Sequence, residues 1–232
     1  MDTFLYDLKF EESDDTKSRL IKATQYLLAA YGYEATTTRM IANTAGVNLS
    51  AINFHFDNKE NLVKESIEAA AKNLARYYAK LSDEVREFLA EPKVDKEKAW
   101  LYIDRYLAHR IKNTFNGRAS QVNIGLVAHE NGFPESCQGI MAKIAVKENE
   151  KVLADLIEYV SDRKDRFQST VIARSIMAAI LSYMEKPIIN KELEQELGVN
   201  MDDYLSVEDY MHDYFMRSIK AAVVVDPYSK AI

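Results

Sequence analysis

Apolar positions recur three and four residues apart along most of the chain, the spacing of one buried stripe on an α-helix. Leu20, Thr24, Leu27, Leu28 and Tyr31 set the first stripe and predict a helix from about Asp15 to Tyr31, with Gly32 where a C-terminal cap belongs. Thr37 is a good N-cap for a second, short helix over Thr38 to Ala45, which Gly46 closes. Asn48 caps a third helix of similar size. Asp57 or Asn58 then opens a long fourth helix, with Glu60 near its positive end, that stops by Pro92. Further helical patterns lie near 95–115, 120–131, 135–162, 166–186 and 206–224, separated by Gly117, Gly132-Phe133-Pro134, Ser161-Asp162 and Pro187. A short helix in "KELEQELG" fills part of the last connection, and Ser206 caps the final helix. No β-alternating run of useful length occurs, so the pattern predicts an all-α fold.

Two short helices around a tight Gly46 turn form a helix-turn-helix pattern. Winding the third helix at about 100° per residue separates its faces. Ile52, Phe56 and the side carrying Asn48 and His55 fall inward, with Val47 packing in the corner. Ser50, Ala51, Asn53 and Phe54 fall outward, and Leu49 lies at the boundary. Small Ser50 and Ala51 let a helix backbone approach a surface closely. Asn53 can offer its amide to a base edge or a phosphate, and Phe54 can meet a thymine methyl or the sugar-phosphate wall. That outward face suits a DNA major groove about 12 Å wide. Lys59 at the start of the fourth helix, Thr38 and Arg39 at the start of the second, and Lys17 and Arg19 at the start of the first are candidate phosphate clamps. Any three short helices contain a turn and scattered charges, so geometry alone leaves a purely structural reading of equal weight.

Charge sharpens the picture only through its distribution. The net charge of −6 argues weakly against nucleic acid. Residues 1–13, however, hold Asp2, Asp7, Glu11 and Glu12 against Lys9, a balance of −3. Residues 16–59 hold Lys17, Arg19, Lys22, Arg39 and Lys59 against Glu34 and Asp57, a balance of +3. Residues 1–13 mix apolar and acidic side chains without a period and are expected to form a flexible arm.

The stretch "GYEATTTRMIANTAGVNLSAINFHFDNKENLV", Gly32 to Val63, closely resembles the DNA-binding signature of the TetR/AcrR family of transcriptional repressors. That signature runs Gly-aromatic, Thr, Arg, Ile-Ala, Ala-Gly-Val, an aromatic-His-Phe helix end, then Lys-Glu and Leu. The resemblance spans about 50 residues once the first helix is included. It implies an N-terminal three-helix DNA-binding domain over residues 14–60 and a larger helical effector-binding and dimerisation domain over 61–232. It also implies a homodimer on a palindromic double-stranded operator. Carried over by position, Thr38, Arg39, Leu49, Ser50, Ala51, Asn53, Phe54, His55 and Lys59 fall on DNA-contacting places. Position 53 is usually Tyr in the family and is Asn here, which puts the common tyrosine–phosphate contact in doubt. Met40 stands where Glu often completes a capping box, so Thr37 caps alone.

Outside this stretch only the family architecture guides the reading. Ile172, Ile176 and Ile180 on one helix, with Tyr210, Tyr214 and Phe215 on the last, form apolar faces that could complete a monomer's core; the resemblance assigns them to a dimer interface instead. A pocket for an unknown small-molecule effector belongs between helices of the large domain. Its candidate lining is Trp100, Tyr106, His109, Asn123, His129, Cys137, Met141, Met177 and Tyr183, although ordinary core packing explains each of these taken singly. His109, Asn123 and His129 stand out because a buried polar group needs a partner.

The absences point the same way. The single Cys137 excludes an internal disulfide framework and a Cys-based zinc site. Asp209-x-x-His212 is the nearest approach to a di-iron motif and stands alone. No Gly-rich phosphate loop, His-Glu-x-x-His or Gly-x-Ser-x-Gly occurs, so neither an enzyme, a metal nor a cofactor is expected. No apolar run approaches the roughly 20 residues that span a bilayer, and the N-terminus lacks a signal-peptide layout, which predicts a cytoplasmic protein without membrane contact. Three readings remain: an effector-released repressor, a DNA-binding regulator controlled by a protein partner, and a helical enzyme or carrier with a vestigial head.

Overall fold

The computed structural model describes residues 8–93, 95–116, 118–162, 164–185, 195, 196, 198 and 207–224. Among them every regular element is helical. The helices are α1 (Thr16–Ala35), α2 (Thr38–Ala45), α3 (Ser50–Phe56), α4 (Lys59–Leu89), α5 (Lys96–Asn116), α6 (Arg118–Ala128), α7 (Lys147–Val160), α8 (Arg166–Glu185) and α9 (Val207–Val224). Most boundaries have visible chemical causes. Asp15 caps α1 by accepting from the Ser18 N–H at 2.7 Å. The Thr37 hydroxyl caps α2 alone, accepting from the Met40 N–H at 3.1 Å. The Asn58 carboxamide accepts from the Asn61 N–H at 2.9 Å and opens α4. The caps proposed at Ser206 and the bulk of "KELEQELG" lie outside the described residues.

Two boundaries differ from expectation. Gly32 does not end α1: the helix kinks there (φ 73°, ψ −178°) and resumes to Ala35, with the Thr36 hydroxyl donating back to the Gly32 carbonyl at 2.7 Å. The single helix expected over 135–162 is divided. A 3₁₀ turn (Glu135–Cys137) and a π-helical turn (Ala142–Val146) precede α7. Gly139, at φ 71°, donates its N–H to the Glu130 carboxylate at 2.7 Å, and this local bond replaces helical continuation.

The chain packs as two compact units that do not follow its order. The first takes the chain to Tyr77 together with Arg118–Lys147; the second takes Tyr78–Gly117 and the chain from Glu148. Within the first unit, one core joins Leu20, Ala23 and Leu27 of α1, Ile41, Ala42 and Ala45 of α2, Ile52 and Phe56 of α3, and Leu62 of α4. A second core there joins Leu28, Val63, Ile67, Val122, Leu126, Phe133, Cys137 and Met141. The arm is not free over its described part, since Leu8 and Phe10 pack against the first of these cores. The second unit closes around Val85, Phe88, Ile103, Tyr106, Leu107, Leu153, Leu156, Ile157, Met177, Ile180, Met211, Phe215 and Ile219.

Candidate nucleic-acid interface

Helices α2 and α3 meet at a corner that the local sequence dictates. Gly46 adopts the left-handed conformation (φ 67°, ψ 37°), which a side chain would strain. Its N–H bonds the Asn43 carbonyl at 3.1 Å and the Val47 N–H bonds the Ala42 carbonyl at 3.0 Å, so these two α2 carbonyls are satisfied within the turn. The Asn48 side chain then accepts from the Ser50 N–H at 3.0 Å and hydroxyl at 3.1 Å, fixing the first turn of α3.

Ile52 and Phe56 are the buried residues of α3. The other side carries Ser50, Asn53 and Phe54 in solvent; Phe54 is 84% exposed and Leu49 45%. An exposed phenylalanine ring gains little from folding, and this one is available for contact outside the unit. The His55 ring meets it edge-on, with centroids 4.9 Å apart, and so fixes its direction. Two details depart from the helical-wheel reading. Ala51 is half-buried against the core rather than outward, and Asn48 is exposed rather than inward because its side chain serves the α3 cap.

The expected cations are present but unequally available. Arg39 stands exposed at the start of α2, with Thr38 half-buried beside it. Lys17 pairs with Glu65 at 2.7 Å and lies 5.2 Å from the Phe56 ring centroid. Lys59 donates to the Tyr33 carbonyl at 2.7 Å with its Nζ 3.8 Å from the Tyr33 ring centroid, and burial pulls its ammonium below the usual lysine range. Burial raises the Tyr33 phenol in turn. Lys22 is held by Asp14 at 2.7 and 2.8 Å, a bond that keeps the Asp14 carboxyl below its ordinary value. Arg19 turns inward: its Nε donates to the Ala45 carbonyl at 2.8 Å. Nothing local in the sequence signals these partners, which lie 26 or more residues away for Arg19, Lys59 and Lys17.

Residues 20–66, covering α1 to the start of α4, match the family described as bacterial regulatory proteins, tetR family. This head segment is similar to the tetR family. The HTH-type transcriptional dual regulator CecR of Shigella flexneri is 31% identical over 85 residues. That stretch is 37% of this chain and 38% of the relative, so the match spans well under half of either protein. The likeness to solved structures is longer and fainter. A TetR transcriptional regulator from Legionella pneumophila aligns over 92% of this chain and 100% of its own, with a TM-score of 0.55 at 16% identity. AmtR of Mycobacterium smegmatis aligns over 93% and 96%, with a TM-score of 0.56 at 15% identity. At such identities the likeness supports the tetR-family fold rather than any ligand.

The other expected site residues fall in both units. Asn123, His129, Cys137 and Met141 belong to the first unit; Trp100, Tyr106, His109 and Met177 belong to the second. Cys137 is buried, and burial raises its thiol. In the second unit, His109 meets Tyr78 edge-on at 5.4 Å, Asn113 donates to the Tyr78 hydroxyl at 2.8 Å, and the Tyr106 hydroxyl donates to the Asn149 carbonyl at 2.5 Å. The buried Arg110 lies 4.9 Å from the Tyr78 ring centroid, a neighbour that the residue pattern did not single out. The Tyr183 side chain lies outside the described residues.

The residues of the expected dimer face divide between core and surface. Ile176, Ile180 and Phe215 are buried in the second unit's own core. Ile172 is half-buried against that core. Tyr210 and Tyr214 do stand in solvent, at 64% and 54% exposure, and Phe167 and Val171 of α8 are exposed as well. No helix of the described residues is long and apolar enough to cross a membrane.

Proposed function

We propose that this chain is a sequence-specific DNA-binding transcriptional regulator that binds a palindromic duplex as a homodimer and is released from it by a small-molecule effector. Residues 14–60 form the DNA-binding head in this reading, and residues 61–232 carry effector binding and dimerisation. The observation that carries it is the solvent-facing side of α3, where Phe54, Asn53 and Ser50 are exposed, with Arg39 exposed on α2 as well. In a major groove, Asn53 reads a base edge, Phe54 and Leu49 supply apolar contact, and Lys17, Thr38, Arg39, His55 and Lys59 meet the strands. An effector in the helical domain shifts the population of dimers toward a half-site separation that no longer fits the operator.

Selection of bound duplexes from a random pool tests the reading directly. A recovered palindrome, bound with steep salt dependence, is the expected result. Asn53→Ala and Phe54→Ala then change the ranking of operator variants. Unchanged rankings in both variants would remove α3 from the recognition surface. Repeating the selection with cell extract finds a releasing compound, and transcription from a template carrying the palindrome decides between repression and the dual regulation named for the Shigella relative.

A further inference from the structure

We infer that Phe10, ahead of α1, is a positioning residue for the helix-turn-helix, acting by holding the Arg19 side chain against the end of α2. This rests on the DNA-binding reading above but concerns a segment outside the matched residues 20–66. Arg19 reaches from α1 to the corner: its Nε donates to the Ala45 carbonyl at 2.8 Å, one residue before the turn glycine. Its Nη2 lies 3.1 Å from where a Cβ on Gly46 would stand. Gly46 therefore does two things: it turns the chain, and it leaves room for the guanidinium. The guanidinium lies over the Phe10 ring, its Cζ 4.2 Å from the ring centroid.

The segment that brings Phe10 there is itself built. Asp14 accepts from the Glu11 N–H at 2.8 Å and holds Lys22 of α1, while the Asp14 N–H donates to the Glu11 carbonyl at 3.0 Å. Leu8 packs against the same core as the corner's own Ala45 and Val47. The guanidinium is thus fixed by a carbonyl edge-on and an aromatic face, the two contacts for which its planar shape is suited and for which a lysine would not substitute. Arg39 of α2 keeps its charge in solvent. Arg19 instead spends its charge inside the head, on the carbonyl that immediately precedes the turn from which α3 departs. Loosening it lets α3 change its angle to α2, which degrades base reading while leaving the count of phosphate contacts alone.

The test uses the full-length chain, one duplex recovered by the selection, and a scrambled duplex of equal length. Binding is measured over a salt series for wild type, Phe10→Ser, Phe10→Trp and Arg19→Gln, and amide hydrogen exchange is followed at Gly46 and Val47 in the free protein. Phe10→Ser and Arg19→Gln should each lower the preference for the selected duplex by about tenfold, the worth of one desolvated cation–π contact, at an unchanged salt slope. Both should speed exchange at the two turn amides, and Phe10→Trp should restore wild-type behaviour. A flatter salt slope in Arg19→Gln, with Phe10→Ser silent, would make Arg19 a phosphate contact and overturn the inference. So would unchanged exchange in both variants. Failure of the wild type to bind any duplex would instead defeat the DNA-binding reading, and the exchange data would still decide whether Phe10 holds the corner.

Discussion

An ammonium that already donates to one carbonyl keeps two hydrogens for another acceptor. Lys59 is in that position: Tyr33 takes one of its bonds and orients it at the first residue of α4, where unpaired helix N–H groups favour an anion. Lys59→Ala should therefore weaken binding to all duplexes alike and reduce the salt slope by about one ion. Equal slopes for variant and wild type would show that its bond to Tyr33 is all it makes. A second residue-scale expectation concerns His109. Burial, and then the charges of Arg105, Arg110 and Lys112, hold its imidazole below the ordinary value of 6.5. The unfolded chain consequently takes up this proton at higher pH than the folded chain, so stability held above pH 6.5 declines as pH falls through and below that value. Urea titrations at about pH 7.5 and 5.5 should show a smaller loss in His109→Leu than in wild type, because the depressed carboxyls of Asp14 and Asp15 titrate only well below that window. The two proteins losing stability equally would remove His109 as the cause.

At the scale of elements, what could be read in advance was what neighbours within a turn decide. Thr37 and Gly46 delimit α2 because a hydroxyl cap and a left-handed glycine act over three or four residues. The exposure of Asn53 and Phe54 followed from helical periodicity for the same reason. Contacts between elements were not readable, and the crossing of α6 and α1 shows why. Helix α6 crosses α1 so tightly that a Cβ on Gly125 would lie 2.6 Å from the Ala29 carbonyl oxygen and 2.7 Å from its Cβ. In the sequence Gly125 is an ordinary interruption of a helical pattern; only the crossing gives it a purpose. Backbone cannot give way as a flexible side chain does, so Gly125→Ala must push α6 off α1. The expected cost is about 1–3 kcal/mol despite alanine's better helix propensity, read as a lower urea midpoint with an unchanged m-value. A gain in stability would mean that the crossing relaxes freely.

If the chain pairs with a second copy, as proposed above, the question at the scale of the whole molecule is which apolar faces that copy covers. Periodicity marked α8 and α9 as apolar but could not say that their widest stripe is consumed within the unit, where Ile176, Ile180 and Phe215 join Leu153 and Ile157. What remains outside is narrower and more aromatic: Phe167 and Val171 on α8, Tyr210 and Tyr214 on α9. Tyrosines suit such a role, since each buries a large ring yet tolerates water when the partner is absent. Under two-fold symmetry every residue of a self-complementary patch counts twice, so introducing charge there is doubly unfavourable. The Tyr210→Glu, Tyr214→Glu double variant should accordingly raise the dimer dissociation constant on the order of a hundredfold, measured by sedimentation equilibrium. Its affinity for an isolated half-site should stay near wild type, because α3 is untouched, while its affinity for the full palindrome falls toward that of one head alone. A double variant that stays dimeric and retains full palindrome affinity would place the two-fold contact on some other face of the chain.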